Sequence, residues 1–130
     1  MLRKILTLIM IIGSLTAWAH EGHDLTPGSI KANHGGTVKA GKEINLEYVV
    51  IGNTVKMYPV THDGKDLLET DIILTGTIKL PKAKDETVKI EFKEGSFLTV
   101  VDFKKAYRVE INLIANFKGQ KSNFKFQVEK

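Results

Sequence analysis

The stretch "YRVEINLIANF", residues Tyr107–Phe117, decides how the fold is read. Tyr107, Val109, Ile111, Leu113, Ala115 and Phe117 alternate with Arg108, Glu110, Asn112 and Asn116, and Ile114 is the one exception. Successive side chains of a strand point to opposite faces, so this period of two predicts a strand with one buried face. A helix would need apolar residues at i, i+3 and i+4, and no stretch downstream of the first twenty residues offers such a series over the alternation.

The same period runs outward in both directions. Downstream, "KGQKS" predicts a turn and "FKFQV" a closing strand with Phe124, Phe126 and Val128 inward. Upstream, "TVKIEF" sets Val88, Ile90 and Phe92 against Lys89 and Glu91, and Gly95 turns the chain into "SFLTVV". "IILTGTIKL" (Ile72–Leu80) reads as a strand with Gly76 as a bulge, ended by Pro81. "INLEYVV" points Ile44, Leu46, Tyr48 and Val50 one way and Asn45 and Glu47 the other. Gly52-Asn53 then predicts a hairpin into "TVKMYPV", with Pro59 near its end, and "HDGKD" (His62–Asp66) predicts a turn.

A series of short strands with one apolar face must bury that face against a second sheet. The expectation is an all-β protein, an immunoglobulin-like antiparallel β-sandwich of about seven strands over residues 37–130. A small closed barrel is the alternative. The chain has 130 residues, enough for one core but not two.

The first nineteen residues have a different character. Arg3 and Lys4 precede the apolar run "ILTLIMIIGSL", and Ala17-Trp18-Ala19 supplies the small residues that signal peptidase accepts. The run is shorter than the roughly 20 residues needed to span a bilayer, so residues 1–19 are expected to be a signal peptide rather than a lasting membrane anchor. Cleavage after Ala19 is favoured, with a cut after Ala17 as the alternative. The protein is then periplasmic or secreted. Loss of Arg3 and Lys4 would leave 17 basic against 15 acidic side chains, far too weak a bias for a nucleic-acid surface. Residues 20–36 are rich in Gly and poor in apolar side chains, and are expected to form a flexible arm.

The four histidines, His20, His23, His34 and His62, lie in that arm and in the Asp-Gly turn. None occupies an inward strand position, so none reads as a core histidine. A chain that begins at His20 offers its α-amine and imidazole to one ion as a chelate. His23, His34 and His62 are candidate further nitrogen ligands, with Glu21, Asp24 or Asp63 as candidate oxygen ligands. Such nitrogen-rich, sulfur-free donors favour Cu(II), Zn(II) or Ni(II), with Cu(II) highest in the affinity order. With no cysteine in the chain, disulfides, thiolate metal sites and cysteine nucleophiles are excluded. There is no nucleophile elbow and no phosphate-binding Gly loop, and "HEGHD" lacks the H-E-x-x-H spacing, so no enzyme is expected.

"AHEGHD" followed by "NHGGTV" (Asn33–Val38) resembles small periplasmic proteins associated with heavy-metal efflux. The resemblance extends to efflux adaptor proteins, in which a Gly-Gly motif precedes a β-domain. "AGKEINLEYVV" and "KMYPVTHDGKDL" stand at the corresponding places, over roughly residues 20–68, and Asn33 stands where the adaptors have proline. More distantly, the chain is similar to the periplasmic copper-resistance sandwich proteins, which implies His20 as a terminal chelate. It departs from them in having no histidine near its C-terminal strands. The resemblance implies a metal-binding accessory to resistance or efflux, with a periplasmic efflux component as partner. The competing expectation is a metal-independent protein-interaction module.

Overall fold

The computed structural model describes residues 31–130. The expected signal peptide, most of the expected arm, and His20, Glu21, His23 and Asp24 lie outside the described residues. The described chain contains no helix. Its strands are β1 (Thr37–Ala40), β2 (Asn45–Ile51), β3 (Thr54–Val60), β4 (Ile72–Lys79), β5 (Glu86–Thr87), β6 (Glu91–Lys93), β7 (Ser96–Val100), β8 (Arg108–Phe117) and β9 (Gln120–Glu129). They form two antiparallel sheets, one in the order β1-β2-β3-β7-β6 and one in the order β5-β4-β8-β9. The all-β sandwich expected from the alternation is the architecture observed.

Its core is built from the predicted inward faces. Leu46, Val55 and Met57 of the five-stranded sheet, with Ile44 just before β2, meet Ile111, Leu113, Phe124 and Phe126 of the four-stranded sheet, and all are buried. Tyr48 stacks on Phe126 with ring centroids 4.0 Å apart, tying β2 to β9 across the layers. Ser122 adds a polar tie between the layers, its hydroxyl accepting the Glu43 N–H at 3.1 Å.

Several local expectations are corrected. "TVKIEF" is two strands, not one: Glu86–Thr87 pairs with β4 and Glu91–Lys93 with β7, so the chain crosses between sheets at Val88–Ile90. Both sheets share one core, so the inward alternation survives the crossing and hides it from the sequence. Gly76 is not a bulge, because the β4–β8 register runs unbroken from Ile72–Phe117 to Lys79–Glu110. A β-carbon there would lie 2.6 Å from the Asn112 carbonyl oxygen and from Leu113, so close approach is what demands glycine. Tyr107 is not inward but 65% exposed, because it precedes β8 and contributes only its carbonyl, which accepts the Lys130 N–H at 3.0 Å.

The turns are tighter than read. Lys118-Gly119 and Glu94-Gly95 are two-residue loops with all four φ angles positive, at 51°, 77°, 53° and 81°. This is the type I′ geometry whose twist matches the flanking strands. Gly52-Asn53 joins β2 and β3 as expected.

The β8 alternation gives a direct test. Ile111 is fully buried and Ile114 is 42% exposed. Ile111→Ala is expected to lower the unfolding free energy by about 3 kcal/mol, through lost burial and the cavity left behind. Ile114→Ala should change it by less than about 0.5 kcal/mol. Equal effects in urea unfolding would contradict the assigned faces.

Candidate functional site

The segment Asn33–Gly36 lies across the outer face of the five-stranded sheet and is fastened there by one side chain, Glu47. The sequence places Glu47 on the solvent face of β2, and it does point to that face, but it is 2% exposed because the segment covers it. Its Oε1 accepts the N–H groups of Asn33 at 2.9 Å and His34 at 3.0 Å. Its Oε2 accepts those of His34 at 2.9 Å and Gly36 at 2.8 Å. A buried carboxylate must be compensated, and here three converging backbone amides form an anion-binding nest.

Local sequence explains why this segment can close on a carboxylate. Gly35 takes φ of +72°, which turns successive N–H groups toward one point. Gly36 lies so close to β2 that a β-carbon would collide with the Tyr48 carbonyl oxygen and lie 2.8 Å from Val49. The last residues of the expected flexible arm are therefore held rather than free, because Glu47 recruits their amides.

The same fastening sets His34. Its ring stacks on Tyr58, with centroids 3.7 Å apart and planes 10° from parallel. Its Nε2 lies 3.0 Å from both carboxylate oxygens of Asp66. With the proton on Nε2 donating to Asp66, Nδ1 keeps its lone pair. The Asn33 side-chain amide donates to the Gly64 carbonyl at 3.0 Å, so segment and turn are joined twice.

The turn owes its place to the end of β7. β7 pairs with β3 only from Thr54 to Met57. Beyond that, the Pro59 carbonyl accepts the Leu67 N–H at 2.9 Å and Val60 bridges to Asp66. The N–H that Pro59 lacks would face the same side as its carbonyl, where no strand partner remains, so proline is tolerated inside β3.

The described candidate ligands do not form one cluster. His34 is paired with Asp66, which the local sequence marks only as part of a turn. His62 instead donates from Nε2 to the Gly41 carbonyl at 3.2 Å. Asp63 accepts the Thr61 hydroxyl within its own turn, and Thr61 in turn accepts the Lys65 N–H at 3.0 Å. Among the described residues, no three His, Asp or Glu side chains gather as a ready metal-ligand group. Asp66 and Glu47 carry no local motif, because each acquires its role from a residue more than ten positions away.

Two predictions follow from this geometry. Glu47→Gln keeps the shape but replaces an acceptor oxygen with a donor NH₂ among donor N–H groups. It should cost about 3 kcal/mol of stability, with amide exchange at Asn33, His34 and Gly36 accelerated most. A loss below about 0.5 kcal/mol would contradict the clamp. The Thr61 hydroxyl, then the Asp63 amide, holds the Asp63 carboxyl below its ordinary value of 3.8. Because the folded value is the lower one, any stability this supplies is complete above pH 3.8 and is lost as pH falls through the folded value. An NMR titration should place its midpoint below 3.8, and Thr61→Val should raise it; an unmoved midpoint would assign the shift elsewhere.

No protein-family model matches the chain, and no curated protein does. Among solved structures, the chain is similar to a DUF4426 family protein from Pseudomonas aeruginosa PAO1, with a TM-score of 0.53 and 15% sequence identity. The match covers 72% of this chain and 96% of that one. At that identity the likeness establishes a shared β-sandwich fold.

Proposed function

We propose that the protein is a secreted, periplasmic binder of a divalent transition metal, copper before zinc or nickel, acting as an accessory to metal resistance or efflux and without catalysis. The observation that carries this reading is the His34–Asp66 pair. Histidines that bind metals commonly donate their second ring N–H to a carboxylate, which fixes the tautomer and aims the other nitrogen. His34 has that arrangement, and its ring is further fixed against Tyr58.

Nδ1 of His34 is then the donor offered to the metal, with Asp66 as its orienting partner rather than a ligand. His62 has a parallel arrangement, its Nε2 held by the Gly41 carbonyl. Further nitrogens come from His20 and His23, which precede His34 in the chain, and from the α-amine if processing exposes His20. Such a site takes shape when the metal binds, since donors from one segment complete a set begun by a fixed histidine.

A second reading rests on the same pair. His34 and Asp66 satisfy one another, and a metal-independent module would use them to pin the segment and present the sheet's outer face to another envelope protein.

Native mass spectrometry of the protein purified from the periplasm, with and without added Cu(II), separates the two. The metal reading expects one retained Cu(II), lost in His34→Ala. Asp66→Asn should weaken it by about 10- to 100-fold, the usual cost of removing an orienting partner. Retention unchanged in His34→Ala would overturn the assignment of the site. No retained copper, zinc or nickel would favour the interaction module.

A further inference from the structure

The two sheets end in four edge strands of very unequal length. β1 has 4 residues, β5 has 2 and β6 has 3, whereas β9 has 10. Short edges are a common way of preventing sheets from pairing with other chains, and bulges and prolines are others. β9 is long and unbulged, and the only such devices it carries are its exposed charged side chains, Lys121 and Lys125 among them. It contains neither proline nor glycine, and its register with β8 is unbroken from Arg108–Glu129 to Phe117–Gln120.

Among the described residues no strand pairs with the other side of β9, and the direction of its backbone groups is also set. The Lys130 N–H donates to the Tyr107 carbonyl at 3.0 Å, continuing the β8–β9 register by one pair. Hydrogen bonding alternates along an antiparallel ladder, so even-numbered residues of β9 face β8. The N–H and C=O groups of Lys121, Asn123, Lys125, Gln127 and Glu129 therefore face away from it. Their side chains are exposed, while Ser122, Phe124, Phe126 and Val128 are buried.

We propose that β9 is the interface of a homodimer, pairing antiparallel with β9 of a second copy about a two-fold axis at Lys125. That register pairs all five free backbone positions. It sets Lys121 opposite Glu129 and Asn123 opposite Gln127 on each side of the axis. On the inner face it sets Ser122 opposite Val128 and Phe124 opposite Phe126, so each layer continues into the next copy. Only Lys125 meets its own kind, and each Lys125 has the Glu110 carboxylate 3.6 Å away to offset the repulsion. Centring the axis on Asn123 instead would place Lys121 against Lys125 twice, and centring it on Gln127 would carry the partners of Lys121 and Asn123 beyond Glu129, where β9 ends. The strand's charge pattern is thus complementary to itself, which points to a second copy as the occupant. The contact is isologous and closes at two copies, joining two four-stranded sheets into one.

Sedimentation equilibrium of the protein as the cell processes it tests this, together with two variants. The unsubstituted protein should dimerise. Lys125→Pro removes an N–H that does not serve β8, and with it the two hydrogen bonds at the axis. It should weaken the dimer by about 30-fold and leave the thermal unfolding of the monomer nearly unchanged. Lys125→Glu mixed in equal amounts with the unsubstituted protein should form more heterodimer than random mixing gives, because Lys then faces Glu across the axis. Amides of the five odd-numbered residues should gain protection from exchange as concentration rises. A monomer at all concentrations, a dimer indifferent to Lys125→Pro, or random mixing would each overturn the proposal. So would concentration-independent protection of those amides, which would mean that a different strand covers the edge.

Discussion

One buried carboxylate, that of Glu47, sets the terms for everything on the outer face of the five-stranded sheet. A charge removed from water must recover its lost hydration from fixed dipoles or a counter-charge. Here the recovery comes from the amides of Asn33, His34 and Gly36. The interaction works in both directions. Without the segment, Glu47 would be an ordinary solvated residue of a half-exposed strand; without Glu47, three amide donors would lie over the sheet with no strand partner. The two needs are met together, which gives this attachment a single geometry.

From that geometry the candidate site follows. His34 is fixed by its own backbone at Glu47, its ring on Tyr58 and its Nε2 at Asp66. Three elements thus converge on one imidazole: the N-terminal segment, the central strand β3, and the turn that folds back beside it. The convergence depends on β7 stopping short, since a longer β7 would occupy the side of β3 where Asp66 now bridges to Val60. A histidine restrained in this way loses less freedom on accepting a ligand than one on a free arm, which is the physical advantage of preorganisation.

The sandwich itself was legible in the chain. Alternation in "YRVEINLIANF" and its neighbours locates the long strands, and Ile114, the one break in it, does face outward. Features that depend on contacts distant in sequence were not legible. The crossing at Val88–Ile90 leaves the alternation intact, so one predicted strand is two. Gly76 reads locally as a bulge, and only the approach of β8 shows why it is glycine. Glu47 reads as solvent-facing because the period of two reports the face of a sheet, not what lies over it. The histidine pattern picked out His34, but His34, His62 and Asp63 turn to different partners, and Asp66 had no signal of its own. Turn residues answer to backbone geometry first, so their side-chain partners emerge only with the fold.

Glu47, through the backbone, presets His34 as an oriented donor. The most direct test is a long-range ¹H–¹⁵N correlation spectrum of the His34 ring, recorded at alkaline pH in the unsubstituted protein and in Glu47→Gln. The account predicts a single tautomer protonated at Nε2 in the first, with Nδ1 bare, and a mixture of tautomers in the second. A ring protonated at Nδ1, or the same mixture in both proteins, would contradict it.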